Sequence, residues 1–385
     1  MKNGELFKAF FNSEKSGGIL LIIATIISLL LANSIWQLEY ISFWNTEIAG
    51  KSIVHWVNDG LMTIFFLLIG LELEREIYNG ELSTRKKAAL PLFSALGGMI
   101  IPALCYLIFN IGTKTQSGGG IPMATDIAFA IGILSLLGNK VPVSLKIFLT
   151  ALAVIDDLGA IIIIAIFYTS NISFLNLVIA FGIMGFLFIL NRKKVNHLFP
   201  YILGGILMWY FMLNSGVHPT ITGVLLAFVI PFGDGSEKTI SSKLQHLLHQ
   251  PVAFFVLPLF ALANTSLIIS DNWQSNLSEP NSIGILLGLI IGKPLGIFLF
   301  AFLSVYFGMC KLPKTINWKQ ILGVGFLGGI GFTMSIFITL LAFSESEIII
   351  SSKIAILIAS TIAAIIGYII LMYALKSNTK EMGEL

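Results

Sequence analysis

Long apolar runs separated by short polar segments recur along the whole chain. Examples are Gly17–Asn33, Leu61–Leu71, Ala88–Phe109 and Ile283–Phe307. A helix that crosses a bilayer needs about 20 predominantly apolar residues. The pattern therefore predicts an all-α polytopic membrane protein with twelve transmembrane helices, over residues 17–33, 58–79, 88–110, 122–137, 143–168, 173–190, 198–212, 216–230, 250–268, 282–307, 319–342 and 350–375.

Composition supports the same fold class. Of the 385 residues, 56% are hydrophobic and only 11% are charged, whereas soluble domains carry about 25% charged residues. Twelve spans of about 20 residues leave about 145 residues for loops, which predicts one transmembrane domain over 1–385. The composition excludes a nucleic-acid-binding protein, a disulfide scaffold and a water-soluble enzyme. Cys105 and Cys310 lie in or beside apolar runs, where thiols usually act as small hydrophobes.

The segment 1–16 precedes the first predicted span. Phe7, Phe10 and Phe11 recur there at helical spacing between lysines. This spacing predicts a short amphipathic helix that lies on the membrane surface.

The basic residues predict the orientation of the chain. If the spans alternate in direction, 19 of the 23 Lys and Arg residues fall on one side of the membrane. Only Lys51, Lys114 and Lys353 fall on the other side, and Lys293 lies within a span. Because cytoplasmic loops carry an excess of basic residues, both termini are expected to be cytoplasmic. The net charge of +3 then reflects topology and indicates no acidic partner.

Two predicted spans contain residues that interrupt helices. The segment 118–126 holds three consecutive glycines, Pro122, Thr125 and Asp126, and the segment 323–335 holds five glycines within nine residues. Paired Gly/Pro-interrupted spans are typical of the binding site of a transporter. The alternative is that the glycines only allow close helix packing. The two segments together favour a pair of discontinuous helices.

Asp156 and Asp157 form the strongest candidate site. They lie in the middle of a long apolar run, and charges at bilayer depth are costly and usually functional. Neighbouring helical residues point about 100° apart, so the two carboxyl groups line one cavity from adjacent angles and do not face each other. Burial and mutual repulsion favour protonation of at least one of them. Carboxylate oxygens are hard ligands, which suit Na+ or Li+ better than a transition metal.

Two more charged residues lie within predicted spans. Asp126 follows Thr125 at the first interruption, where it could bind a cation or offset the positive ends of two half-helices; the second role is slightly favoured. Lys293 could offset the opposite helix ends, or pair with Asp156 when no cation is bound. Lysines near span ends often extend to the membrane surface, but Lys293 lies about eleven residues from Ser282, which places it near the middle of the bilayer.

A second titratable group of residues lies at the predicted cytoplasmic end of two spans. Histidine titrates near neutral pH, so this group is a candidate proton-responsive surface. Its members are Glu72, Arg75, Glu76, His246 and His249. The alternative is a solvated helix end, which is the preferred interpretation for Glu74 and Glu81. His218, at the entrance of another span, could have a structural role only.

Six motifs, in order along nearly the whole chain, resemble the NhaA-type bacterial sodium/proton antiporters. They are Phe65–Glu72, Ala124–Ala130, Ala153–Ala160, Ser215–His218, Gly292–Gly296 and Gly329–Phe337. Several long motifs in the right order make the resemblance specific. The family is one of those from which the rule on paired broken helices was drawn, so the two arguments are not independent.

The resemblance implies twelve transmembrane helices with inverted repeats, whose two broken helices cross near the middle of a bacterial inner membrane. By position, Asp156 and Asp157 match the cation-binding aspartates. Thr125 and Asp126 match the first broken helix, and Lys293 matches a charged partner. The family's pH-sensing surface matches Glu72, Arg75, Glu76, His246 and His249.

The resemblance also raises two further expectations. Gln245 stands where the family pattern has a glutamate, which removes one titratable group and affects the strength and midpoint of pH activation. The family dimerises through a periplasmic hairpin, and residues 44–56 alternate about a glycine-containing turn, as a hairpin does. A homodimer is therefore expected. The transported ions would be Na+ or Li+ and H+, with no cofactor.

The leading hypothesis is electrogenic antiport of Na+ or Li+ against H+ by alternating access. An intramembrane aspartyl hydrolase also uses two buried acids, but they must face each other across a water, so Asp126 would have to be the second acid. A cation channel is a third hypothesis, although no repeated selectivity-filter segment is present. The chain has no phosphate-binding Gly-Lys-Ser/Thr loop, so nothing in the sequence indicates the use of ATP.

Overall fold

The computed structural model describes residues 14–80, 82–169, 172–269 and 273–381. Residues 1–13 of the predicted amphipathic segment therefore lie outside the described residues. In the first half of the chain the helices are α1 (Glu14–Ala32), α2 (Gln37–Asn45), α3 (Ile53–Tyr78), α4 (Arg85–Asn110), α5 (Ile127–Leu136), α6 (Val143–Phe167) and α7 (Phe174–Arg192). In the second half they are α8 (Leu198–Leu213), α9 (Ile221–Val229), α10 (Ile240–Asn264), α11 (Trp273–Leu277), α12 (Pro280–Tyr306), α13 (Trp318–Gly328), α14 (Phe332–Ala342) and α15 (Ser346–Glu381).

The fold is that of an all-α polytopic membrane protein. Eight helices in the described part of the chain are long and apolar enough to cross a membrane, and the number is ten if each of two bent pairs counts as one span. The bent pairs are α1 with α2, at 115°, and α13 with α14, at 45°. The count of twelve spans stays a prediction.

Two of the twelve predicted spans form shorter helices than a membrane crossing usually needs. The segment 198–212 corresponds to α8, which has 16 residues, and the segment 216–230 contains only the nine-residue α9. Gly216 has a φ of +88°, a conformation outside the helical region, and Pro219 has no N–H to donate within a helix. Hydropathy is high across the whole segment, but these two residues delay the start of α9.

A small hairpin lies between α2 and α3, within residues 44–56. Strands β1 (Glu47–Ile48) and β2 (Lys51–Ser52) pair antiparallel, with Glu47 opposite Ser52. The two turn residues, Ala49 and Gly50, both have positive φ, at 54° and 78°. Two consecutive residues with positive φ are typical of the tight turn that matches the twist of the strands.

The contacts divide the chain into two compact units. The described residues of 1–26, 84–160 and 267–385 form one unit, and those of 27–83 and 161–266 form the other. Buried side chains of α8 and α9, including Tyr201, Met208 and Leu226, belong to the hydrophobic core of the second unit. The first unit contains both interrupted segments and all the charged residues predicted at membrane depth.

Within the first unit, α4 and α12 approach each other backbone to backbone. A Cβ on Gly296 would overlap the carbonyl oxygen of Gly97, and a Cβ on Gly292 would lie 2.9 Å from the Cα of Pro102. Small residues allow such close packing between membrane helices. Lys293 lies between these two glycines on α12, next to the π-helical turn Gly288–Gly292, so the packing fixes the position of its backbone.

Both predicted interruptions are present. A 3-10 helix over Gln116–Met123 leads into the non-helical residues 124–126, and α5 begins at Ile127. The second interruption separates α13, which ends at Gly328, from α14, which begins at Phe332. The two interruptions contact each other, because the N–H of Asp126 donates to the carbonyl oxygen of Ile330 at 2.7 Å.

Candidate functional site

Asp126 lies where two helices begin. One carboxylate oxygen, Oδ1, accepts the N–H of Phe129 at 2.9 Å in the first turn of α5. The other oxygen, Oδ2, accepts the N–H of Thr333 at 3.1 Å and the Thr333 hydroxyl at 2.5 Å, in the first turn of α14. The first N–H groups of a helix lack partners within the helix and carry partial positive charge. This is the geometry that the helix-dipole hypothesis for Asp126 requires.

Asp156 and Asp157 lie in the middle of α6, and both are buried, with exposures of 1% and 0%. The helix is regular through both residues, so their side chains leave it in different directions. Oδ2 of Asp156 accepts two polar contacts, described below, while Oδ1 is buried and accepts no hydrogen bond from any described residue. Asp156 therefore has one oxygen in use and one available within the part of the chain that the structure describes.

Lys293 makes both of the contacts that the sequence left as alternatives. Its ammonium lies 2.9 Å from Oδ2 of Asp156, and both side chains are fully buried. The same ammonium donates to the carbonyl oxygen of Met123, the last residue of the 3-10 helix. A buried ion pair is tolerated when further hydrogen bonds satisfy the charges, and here a backbone carbonyl supplies one.

Thr125 connects this ion pair to the second interruption. Its hydroxyl oxygen lies 2.8 Å from Oδ2 of Asp156 and 2.8 Å from the carbonyl oxygen of Gly328, the last residue of α13. A hydroxyl has one proton to donate, so it can donate to only one of these oxygens at a time. The structure therefore places Thr125 and Lys293 in direct contact with the same oxygen of Asp156.

Two contributors to this site were absent from the sequence-based site residues. Thr333 lies in the glycine-rich run, which was the only available signal, and the Met123 carbonyl belongs to the backbone and has no residue-type signal. Among the residues that the structure describes, no group of three or more His, Cys, Asp or Glu side chains is placed to hold a metal ion.

The second titratable group lies in the other unit and is partly assembled. Nδ1 of His249, on α10, lies 3.8 Å from Oε1 of Glu72, on α3. Arg75 and His246 are exposed, and Glu76 is half-buried. The structure thus brings Glu72 and His249 together, and the other three residues lie on the same two helices.

The interpretation of Glu74 as a solvated residue is wrong. Its side chain is only 4% exposed, and its Oε2 accepts a hydrogen bond of 3.4 Å from the Ser241 hydroxyl of α10. The carboxyl group lies on the face of α3 that packs against α10. The position of Glu74 after the apolar run does not show which face of the helix it occupies. Glu81 lies outside the described residues.

His218 belongs to a group of polar residues that the sequence did not predict. Its Nε2 lies 3.8 Å from Oδ1 of Asp59, whose Oδ2 lies 3.3 Å from Nε2 of His55. Nδ1 of His218 lies 2.7 Å from the Thr220 hydroxyl. Asp59 precedes an apolar run within a predicted span, and that position was the available signal for a buried acid.

Comparisons with known proteins identify the family of this chain. A sequence model of the family described as Na+/H+ antiporter 1 matches residues 8–371. The chain belongs to that family. It is similar to Na(+)/H(+) antiporter NhaA 1 of Flavobacterium johnsoniae, with 67% identity over 98% of this chain and 99% of the relative. It is also similar to Na(+)/H(+) antiporter NhaA of Flavobacterium psychrophilum, with 65% identity over 99% of each chain.

A third relative, Na(+)/H(+) antiporter NhaA of Cytophaga hutchinsonii, is 64% identical over 98% of this chain and 97% of the relative. Membership of the Na+/H+ antiporter 1 family places the chain among secondary transporters and not among enzymes. The contacts of Asp126 agree with this, since both of its oxygens already accept hydrogen bonds from helix ends. Asp126 is thus bound to the ends of two helices, whereas an aspartyl hydrolase needs an acid that faces Asp156 across a catalytic water.

Proposed function

We propose that the chain exchanges Na+ or Li+ for protons by alternating access, with Asp156 and Asp157 as the shared binding site. The observation that carries this proposal is the buried ion pair of Lys293 and Asp156, whose charged atoms lie 2.9 Å apart. A second buried acid, Asp157, follows Asp156 directly in the sequence. Buried charges in a membrane protein are costly and mark ion pathways. No cofactor is needed, because the ion gradients supply the free energy.

The ammonium of Lys293 marks the position that a cation would take. It is held by an Asp156 oxygen and by the Met123 carbonyl, and both are hard oxygen ligands that suit Na+. Na+ cannot share these oxygens with the ammonium at short range, because like charges repel. Binding of Na+ therefore displaces Lys293 from Asp156, and protonation of the aspartates displaces Na+. This competition couples the two ion movements without requiring both ions to be bound together.

We propose that Asp126 stabilises the interrupted helices and does not bind the cation, while Thr125 and Lys293 hold the site when it is empty. Asp126→Ala is then expected to lower the Tm and raise the apparent KM for Na+, with transport impaired but still present. Removal of a charge from a helix N-terminus costs about 0.3–1 kcal/mol at exposed sites and up to about 2 kcal/mol when partly buried. Thermal unfolding and exchange in proteoliposomes measure the two effects.

Asp126→Asn is the matched variant, because it keeps one acceptor oxygen and removes the charge. It is expected to lie between the wild type and Asp126→Ala. A wild-type Tm, affinity and rate in Asp126→Ala would rule out both a dipole role and a cation-binding role for this residue.

We propose the family topology for the whole chain: residues 1–385 as one transporter domain with twelve transmembrane helices, inverted repeats and both termini in the cytoplasm. The distribution of basic residues supports this orientation, and the family supports a bacterial inner membrane. We also propose a homodimer, for which the hairpin of β1 and β2 is the supporting feature.

We propose that Glu72, Arg75, Glu76, His246 and His249 respond to cytoplasmic pH. The contact between Glu72 and His249 supports this role, since it becomes an ion pair only when the imidazole is protonated. The absence of a carboxyl group at Gln245 leaves fewer titratable groups beside His246.

The purified full-length protein in proteoliposomes tests the exchange activity. Addition of Na+ to the outside is expected to drive protons out of the vesicles, and addition of Li+ is expected to have the same effect. A dye that reports internal pH follows the movement. The proposed function would be refuted if neither Na+ nor Li+ moved protons at any pH.

A further inference from the structure

The non-helical segment 124–126, with Met123 before it, supplies the polar groups that surround the ion pair. The Met123 carbonyl accepts from Lys293, and the Thr125 hydroxyl lies 2.8 Å from Oδ2 of Asp156. This segment has no helical hydrogen-bond ladder of its own. Its position is therefore set by the groups that its backbone and side chains contact.

Those contacts come from the second interruption. The N–H of Asp126 donates to the Ile330 carbonyl at 2.7 Å, and the Thr125 hydroxyl lies 2.8 Å from the Gly328 carbonyl. Ser335 donates its hydroxyl proton to the Ile121 carbonyl at 2.7 Å, one turn earlier in the first interruption. The two interruptions therefore hold each other, and backbone carbonyls accept most of these bonds.

Thr333 makes a different kind of contact, because two of its donors bind the same carboxylate oxygen of Asp126. Its N–H and its hydroxyl both donate to Oδ2 of Asp126, at 3.1 and 2.5 Å, and the side chain is buried. The N–H of Phe129 takes the other oxygen. The two N–H groups hold one oxygen each, and the Thr333 hydroxyl adds a second donor to Oδ2, so it strengthens the attachment of the Asp126 carboxylate to the start of α14.

We propose that Thr333 is a positioning residue for the cation site. Its hydroxyl fixes the Asp126 carboxylate, and Asp126 is joined by a single peptide bond to Thr125, whose hydroxyl lies against Asp156. Within the described part of the chain, Thr333 makes no hydrogen bond with Asp156 or Lys293, and its side chain binds Asp126. It therefore acts through the segment 124–126 and does not bind the ion. This inference rests on the proposed exchange of Na+ for protons at Asp156 and Asp157.

Thr333→Val tests the proposal, because valine keeps the shape of threonine and replaces the hydroxyl with a methyl group. In proteoliposomes of the full chain, the apparent KM for Na+ is expected to rise about tenfold, the order of one lost hydrogen bond to a charged group. The maximal rate is expected to change by less than about twofold, because Asp156 and Asp157 keep their chemistry. Thr333→Ser retains the hydroxyl and is expected to restore the wild-type KM.

Thr339→Val is the matched control. Thr339 is buried in the same helix, but its hydroxyl donates to the Ser335 carbonyl within α14 and does not reach the interruption. This variant is expected to keep the wild-type KM. An equal rise of KM in both variants, or a wild-type KM in Thr333→Val, would overturn the proposal.

If Thr333→Val does not fold, Thr333→Cys decides, since a thiol is a weaker donor of similar size. Its apparent KM is expected to rise about threefold, and a wild-type KM would overturn the proposal. The wild-type vesicles separate the two hypotheses. Exchange that is absent in the wild type refutes the proposed function, whereas wild-type exchange with an unaltered KM in the Thr333 variants refutes only the positioning role.

Discussion

Asp156→Asn and Asp157→Asn are each expected to abolish Na+/H+ exchange in a protein that still folds. The amide keeps the volume of the carboxyl group but loses the charge that binds Na+ and the oxygen that takes up a proton. Both carboxyl groups are buried. Proton movement on addition of Na+, measured in proteoliposomes, is expected to fall to the level of protein-free vesicles.

The two variants are expected to differ in stability. Asp156→Asn leaves Lys293 buried without its ion-pair partner, and such a loss costs about 3–5 kcal/mol unless the remaining charge is neutralised. Loss of the lysine proton relieves part of this cost, while the bond to the Met123 carbonyl can remain. The Tm of Asp156→Asn is therefore expected to lie below that of Asp157→Asn, in which the ion pair of Lys293 and Asp156 stays intact.

Asp234→Asn is the control for the substitution itself, because Asp234 is exposed in a loop and lies outside the site. It is expected to leave both the exchange rate and the Tm unchanged. Exchange at the wild-type rate in Asp156→Asn or Asp157→Asn would remove that residue from the site.

A membrane potential alone is expected to drive Na+ flux through the protein. Binding of one Na+ favours both aspartates in the ionised form, since each supplies oxygens to the ion. When Na+ leaves, two adjacent anions remain in a poorly solvated place, and protonation of both relieves their repulsion. Two protons then replace one Na+, so each cycle moves one net charge. Release of one proton by Lys293 as it yields Asp156 gives the same count.

One elementary charge that crosses a potential of about 100 mV gains about 2.3 kcal/mol, which corresponds to about a fiftyfold Na+ ratio at equilibrium. The test imposes a potential with a potassium gradient and an ionophore, with equal Na+ and equal pH on both sides. Tracer Na+ flux is expected to reverse when the sign of the potential reverses. Vesicles with Asp157→Asn report the leak. A flux that ignores both the sign and the size of the potential would mean electroneutral exchange and would contradict this stoichiometry.

The two interruptions could be predicted because their cause is local. Glycine and proline lower the stability of a helix, and the structure interrupts its helices beside Pro122 and beside Gly328 and Gly329. Local composition does not decide this alone, because α4 continues through Pro91 and Pro102. Lys293 could be predicted as a buried charge for a similar reason, since no other charge lies near it in the sequence. Its partner could not be chosen between Asp156 and a helix end, because that choice depends on how α6 and α12 pack.

Contacts that depend on helix faces were not predictable in the same way. In a membrane bundle, side chains toward lipid and side chains toward protein are both apolar, so the sequence does not mark the inward face. The sequence therefore predicts a solvated Glu74, although this side chain packs against α10. The role of Thr333 arises only where the two interruptions meet, and the role of the Met123 carbonyl arises only where α12 brings Lys293 to the first interruption.

The close contact of α4 and α12 limits how the ion pair can open. With Gly296 against the Gly97 carbonyl and Gly292 against Pro102, the two backbones leave no room for a side chain at these two positions, which opposes sliding of one helix over the other. The base of Lys293 is thus a fixed anchor, and the flexible part is its chain of four methylene groups. The ammonium can leave Asp156 by swinging on that tether, or α6 can carry Asp156 away, while α12 stays in place against α4. The length of the lysine side chain therefore sets the distance from α12 over which the ion pair with Asp156 can form.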